Sequence, residues 1–180
     1  MAACFFHWEF ATALAGAALK INPFDEPNVT EAKMKTKALL SEFEGSDLPI
    51  PAGQPLSDLF SQAQEDSYLA VLAYWSINEE NYEHLHTFRK SIEAKLNIPV
   101  SVNFGPRYLH STGQLHKGGK RQGMFIVLTK ENEPELAIPH QSFDFSRLCS
   151  AQALGDYQIL TEKGFPAQFL QLADLSELNK

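Results

Sequence analysis

The sequence predicts an α/β fold: a layered αβα arrangement with a mainly parallel sheet of about four strands, preceded by N-terminal helices. Three observations carry this. From residue 66 onward, short apolar runs at 68–75, 100–104, 123–129 and 168–172 alternate with helical patterns at 78–96 and 143–161. Strands alternating with helices give βαβ units and a parallel sheet. The first run, Y-L-A-V-L-A-Y-W, is apolar throughout, as a central strand covered on both faces is. Finally, 180 residues with 44% hydrophobic content suffice for one domain, or one domain and an appendage.

The elements follow in order. Residues 4–20 have helical spacing, with Phe6, Phe10, Leu14 and Ala17 on one face and small residues elsewhere. A helix apolar on most sides is expected to be buried, and a chain beginning inside one looks truncated. Its longest apolar run, 10–19, reads as too short for a bilayer and lacks a basic leader. Two prolines make 21–29 irregular, and Asn28 with Glu31 resembles a capping box opening a helix over 29–43. Residues 45–55 hold three prolines and two glycines, so they read as extended, with a short helix over 55–63. The helix over 78–96 is amphipathic, capped by Asn78 and ended by Asn97. This divides the chain into an N-terminal helical segment (1–45), a linker (46–65) and an α/β domain (66–180).

Charge narrows the function. Fifteen basic against 22 acidic residues leave a net charge of −7. That argues against nucleic-acid and anionic-membrane partners. Arg107, Lys117, Lys120 and Arg121 nevertheless cluster, which suits a small anionic ligand. Cys4 and Cys149 have neither metal nor redox spacing, so a reducing, cytoplasmic location is the default.

The chemistry concentrates in residues 105–119, G-P-R-Y-L-H-S-T-G-Q-L-H-K-G-G, directly after the second strand. Open α/β sheets place ligands at such strand ends. In a short helix Arg107, His110 and Gln114 share a face. Ser111, Thr112 and Gly113 supply hydroxyls and backbone N–H groups for a phosphate, with Arg107 or Lys117 adding charge. Histidine is the natural proton carrier near neutral pH. The plainer alternative is a polar loop whose histidines cap carbonyls. His116 lies six residues from His110, so a two-histidine metal site is disfavoured, and no other metal-ligand spacing occurs. Lys33, among Lys35 and Lys37, reads on composition as solvated.

Residues 5–33, F-F-H-W-E-F-A-T-A-L-A-G-A-A-L-K-I-N-P-F-D-E-P-N-V-T-E-A-K, resemble the C-terminal signature of glucose-6-phosphate isomerases. Trp8-Glu9 matches its aromatic-Glu pair. Ile21, Asn22, Phe24, Asp25, Val29 and Lys33 match in register, while Glu26 and Asn28 depart from the usual Gln and Gly. The stretch 105–119 and the segment A-Q-A-L-G-D at 151–156 resemble the isomerase region of bifunctional transaldolase/glucose-6-phosphate isomerases.

The resemblance implies an SIS-like sheet and interconversion of glucose 6-phosphate and fructose 6-phosphate through an enediol, without metal or organic cofactor. It implies Lys33 and His110 as catalytic residues, with His116 as runner-up for ring opening. Arg107, Ser111, Thr112, Gln114, His116 and Lys117 would bind substrate. The family's proton-transferring glutamate segment has no counterpart here. The expectation is therefore a site completed by an N-terminal remainder or a second subunit, or else a non-catalytic sugar-phosphate-binding or partner-binding fragment; a homodimer is a further expectation.

Overall fold

The computed structural model describes residues 1–131 and 136–179. Its centre is a four-stranded sheet of β1 (Tyr68–Tyr74), β2 (Val100–Phe104), β3 (Gly123–Lys130) and β4 (Ala167–Leu172), in the order β2-β1-β3-β4. Every pairing is parallel; Leu69, for example, sits between Val100 and Met124. The apolar runs of β1 and β3 follow from this order. Both strands are interior and covered on two faces, so neither alternates with polar residues.

The two faces carry separate cores. Ala70, Leu72 and Tyr74 of β1 meet Phe125 and Val127 of β3 on one side. Helices α2 (Pro27–Glu42) and α6 (Phe145–Glu162) close that side through Ala32, Leu39, Ala153 and Leu154. Leu69, Val71 and Ala73 point the other way, onto Leu85, Phe88 and Ile92 of α4 (Glu79–Leu96) and Leu59 of α3 (Leu56–Phe60). Residues before position 45 and after 66 thus share one core, and Leu59, from the expected linker, is buried. Short turns complete the chain at Arg107–His110, at Leu175–Asn179 and as the helix α5 (Gly113–Gly118).

Local signals explain most boundaries. Asn78 accepts from the Asn81 backbone N–H at 2.8 Å and opens α4. Asn97 closes it with a left-handed φ of 53°, a conformation asparagine tolerates better than most residues. Helix α2 starts earlier than the sequence pattern predicts, because proline's fixed φ suits the first helical position. Asn28 therefore lies inside the helix rather than capping it, and its side-chain amide donates to Glu31 Oε2 at 2.9 Å.

Helix α1 (Ala2–Leu19) departs most from expectation. It was expected to be buried, yet Gly16 is its one buried residue. Pro23 folds back so closely that a Cβ on Gly16 would lie 2.5 Å from its ring. Phe5, Phe6, Trp8, Phe10, Leu14 and Leu19 are all more than half exposed. The helix also runs longer than the 10–19 stretch. With 18 residues and mean hydropathy 1.2, α1 meets the length and composition of a membrane span, as core helices and signal sequences also do.

Because α1 contributes nothing to either core, deleting residues 1–20 is expected to change unfolding free energy by about 0.5 kcal/mol or less. Urea titration followed by circular dichroism checks this. A larger loss would mean that α1 docks onto the sheet layers in solution.

Candidate functional site

The polar stretch 105–119 leaves the carboxyl end of β2 beside Tyr74 and runs back to Tyr68 at the amino end of β1, and an unforeseen residue anchors it. Asp156 lies on the inner face of α6, among Ala153, Leu154, Ile159 and Leu160, and is 1% exposed. Its Oδ2 accepts from the hydroxyls of Tyr74 and Tyr108, and its Oδ1 from Lys117 Nζ. The Lys117 side chain is as buried as the aspartate. A buried carboxylate is tolerable only when its lone pairs are met by donors. Here β1, the Arg107–His110 turn and α5 each supply one. Burial, then the neighbouring negative charge, holds both tyrosines well above the ordinary phenol range, so they remain donors. The tyrosine rings meet edge to face at 6.4 Å. A Cβ on Gly105 would fall 2.7 Å from the Tyr74 ring, so the turn needs glycine there to approach the sheet.

His116 is also internal. Its Nδ1 is 3.1 Å from the Tyr68 hydroxyl, and its ring lies among those of Tyr68, Tyr108 and Phe125. Nε2 is buried without a hydrogen-bond partner. Burial, then the Lys117 charge, pushes its pKa down to about 4, against the pull of Asp156. The ring is neutral at physiological pH.

A second tie joins the turn to α2. Gln114 Oε1 accepts from the Asn28 backbone N–H at 3.1 Å, and Gln114 Nε2 donates to Asn28 Oδ1 at 2.8 Å. Glu31, held below the usual carboxylate range first by the Asn28 amide and then by Lys163, extends the line to the end of α6.

Between α2 and α6 lies a cavity of about 410 Å³. Lys33, Thr36 and Lys37 line it from α2, Gln141 and Ser142 from the loop before α6, and Gln152 from α6; Leu109 and Asp156 reach it from within. Lys33 and Lys37, one helical turn apart, put two exposed ammonium groups on its rim.

The expected site residues therefore divide. Lys33 lines the cavity. His110, Arg107 and Ser111 are exposed on the neighbouring turn, outside it. The Ser111 hydroxyl donates within the turn to Tyr108 O at 3.2 Å, and the Thr112 hydroxyl donates to Asn103 Oδ1 of β2 at 3.5 Å. Gln114 is committed to Asn28, Lys117 to Asp156, and His116 is enclosed by aromatic rings. Burial takes Lys117 out of the basic cluster, leaving Arg107, Lys120 and Arg121 exposed. No group of His, Cys, Asp or Glu suited to a metal occurs among the described residues. Asp156 was not singled out as a site residue; a carboxylate at the spacing of the inward-facing apolar residues of α6 was the available signal.

The fold is similar to that in the crystal structure of a hypothetical protein from Thermus thermophilus, with a TM-score of 0.53 and 15% identity. The match covers 86% of this chain and 40% of that one, so the chain spans less than half of that protein's length. No family model and no curated protein matches.

Two outcomes follow. Asp156→Ala strands a buried ammonium and two tyrosine hydroxyls, and a loss of about 3–5 kcal/mol is expected in denaturant unfolding. Unfolded histidine takes up its proton near pH 6.5, whereas folded His116 waits until about 4. The unfolded state therefore binds more protons between these values, and stability falls as pH drops through that window. In His116→Gln this part of the pH dependence should vanish, read as urea midpoints across pH 4–7.

Proposed function

We propose that this chain supplies a sugar-phosphate half-site to an aldose–ketose isomerase acting on glucose 6-phosphate and fructose 6-phosphate in the cytoplasm. One observation carries the reading. Lys33, assigned by the resemblance, lines the cavity of about 410 Å³ together with Lys37 and a set of hydroxyls and side-chain amides. Amides and hydroxyls suit a polyol, and paired ammonium groups suit its phosphate. Lys33 would stabilise negative charge developing on the ring oxygen or the enediolate. His110 borders the cavity through its neighbour Leu109 and would join the reaction only with substrate or a partner chain in place.

A second reading, sugar-phosphate binding without turnover, has its own support. Enediol chemistry needs a carboxylate free to accept a carbon-bound proton. Of the two carboxylates lining the cavity, Asp156 already accepts from three donors, and Glu44 stands exposed at the end of α2. The proton-transfer base is therefore expected from another segment or subunit.

Calorimetric titration with fructose 6-phosphate tests both readings. Lys33→Ala should weaken binding by about tenfold, or 1.4 kcal/mol, without altering the unfolding midpoint. Isomerisation above background that disappears in Lys33→Ala would establish the catalytic reading. Lys33-dependent binding without turnover would establish the second. Absence of binding would remove both.

A further inference from the structure

The outer edge of the sheet carries a pocket apart from the Lys33 cavity. Among the described residues, β2 pairs with β1 on one side and with no strand on the other. The Gly105 N–H donates to Ala73 O, and Pro99 O accepts from the Leu69 N–H, so the odd-numbered residues of this segment face β1. Successive residues of a strand turn their backbone groups to opposite sides, so Val100, Val102 and Phe104 direct theirs outward. The first is met from within the chain: Glu93 Oε1 of α4 accepts from the Val100 N–H at 3.4 Å. As the crossover between two parallel strands, α4 runs against β2. Four residues back along a helix and two forward along a strand each cover about 6–7 Å. Arg89 thus takes up beside Val102 the place that Glu93 holds beside Val100.

The pocket there has a volume of about 110 Å³ and is lined by Arg89, Val102, Phe104, Leu85, Tyr82 and His86. Arg89 is half-buried, and its Nε is enclosed without a hydrogen-bond partner. The ion pairs among the described residues engage Lys35, Lys117 and Lys163, and the cation found over a ring is Lys95. The Arg89 guanidinium is therefore uncompensated, and an enclosed charged donor left unpaired is costly. Beside it the outward Val102 N–H has no acceptor among the described residues. A planar carboxylate meets both demands, with one oxygen on the guanidinium and the other on the backbone N–H. The partly buried Val102 and Phe104 side chains suit a short aliphatic stem. The volume holds a carboxylate with about two or three further carbons, at about 30 Å³ per water-sized group. Phosphate fits less well, since its second charge would enter an apolar wall with one permanent cation to meet it.

We propose that this pocket at the sheet edge binds a short-chain organic monocarboxylate between the Arg89 guanidinium and the Val102 N–H. The proposal is independent of the sugar-phosphate reading. In amide-resolved nuclear magnetic resonance spectra, propionate added at constant ionic strength should shift the Val102 signal saturably, with Kd on the order of 1–10 mM. Arg89→Gln should weaken propionate about tenfold, yet leave the unfolding midpoint without propionate unchanged or higher, because no internal partner is lost. Val102→Pro removes the outward N–H, a change that edge strands tolerate, and should also weaken propionate, followed through the Phe104 amide. Folding of both variants is checked by circular dichroism. Inorganic phosphate should bind about tenfold more weakly than propionate, and Lys33→Ala should leave the titration unchanged. Absence of a saturable Val102 shift by about 100 mM propionate, the same shift with chloride, or unchanged affinity in either folded variant would overturn the proposal. Phosphate binding as tightly as propionate would overturn the monocarboxylate assignment. Loss of the shift in Lys33→Ala would overturn the location, by moving the ligand to the other cavity.

Discussion

The structure around the candidate site depends on one buried carboxylate. Asp156 cannot be enclosed by apolar side chains unless its charge is compensated, and the compensation comes from three separate elements. That requirement fixes the height of the Arg107–His110 turn, draws Lys117 inward and turns α5 against the sheet. The polar stretch 105–119 is thus rigidly held on its inner side and presents only some of its polar residues outward. The Gln114–Asn28 pair applies the same logic at the outer edge, coupling the turn to the helix that carries Lys33.

Much of the fold was legible from periodicity. The runs in β1 and β3, the amphipathic α4 and the Asn78 cap each have one physical cause acting locally, and sequence records such causes directly. The exposure of α1 was not legible, for a clear reason. Apolar residues on every side state that a helix seeks cover, and they do not state which surface provides it. Helix α2 opens two residues before the expected start because Pro27 suits the first helical position, which leaves Asn28 inside the helix. In the folded chain its backbone N–H and amide engage Gln114, 86 positions away, and no local rule sees that distance.

The candidate site was legible in composition but not in orientation. Histidine, lysine and glutamine in a glycine-rich turn read as ligand-facing groups. Three of them, Gln114, His116 and Lys117, instead serve the interior or its border, since a turn packed on a sheet must satisfy its inward face as well. Lys33 stays exposed, as composition reads it, and also lines the cavity of about 410 Å³ between α2 and α6.

The chain positions of the four clamped residues carry a further meaning. Tyr74, Tyr108, Lys117 and Asp156 span 83 positions, two complete crossovers and part of a third, so the assembly closes only after β1, β2, β3 and α6 have docked. Contacts so distant in sequence carry a large loop-closure entropy and form late. Interactions missing from the transition state leave the folding rate nearly untouched and act on the escape from the native state. The aspartate clamp is in that sense a device of persistence: it lengthens the lifetime of the native turn rather than hastening its birth.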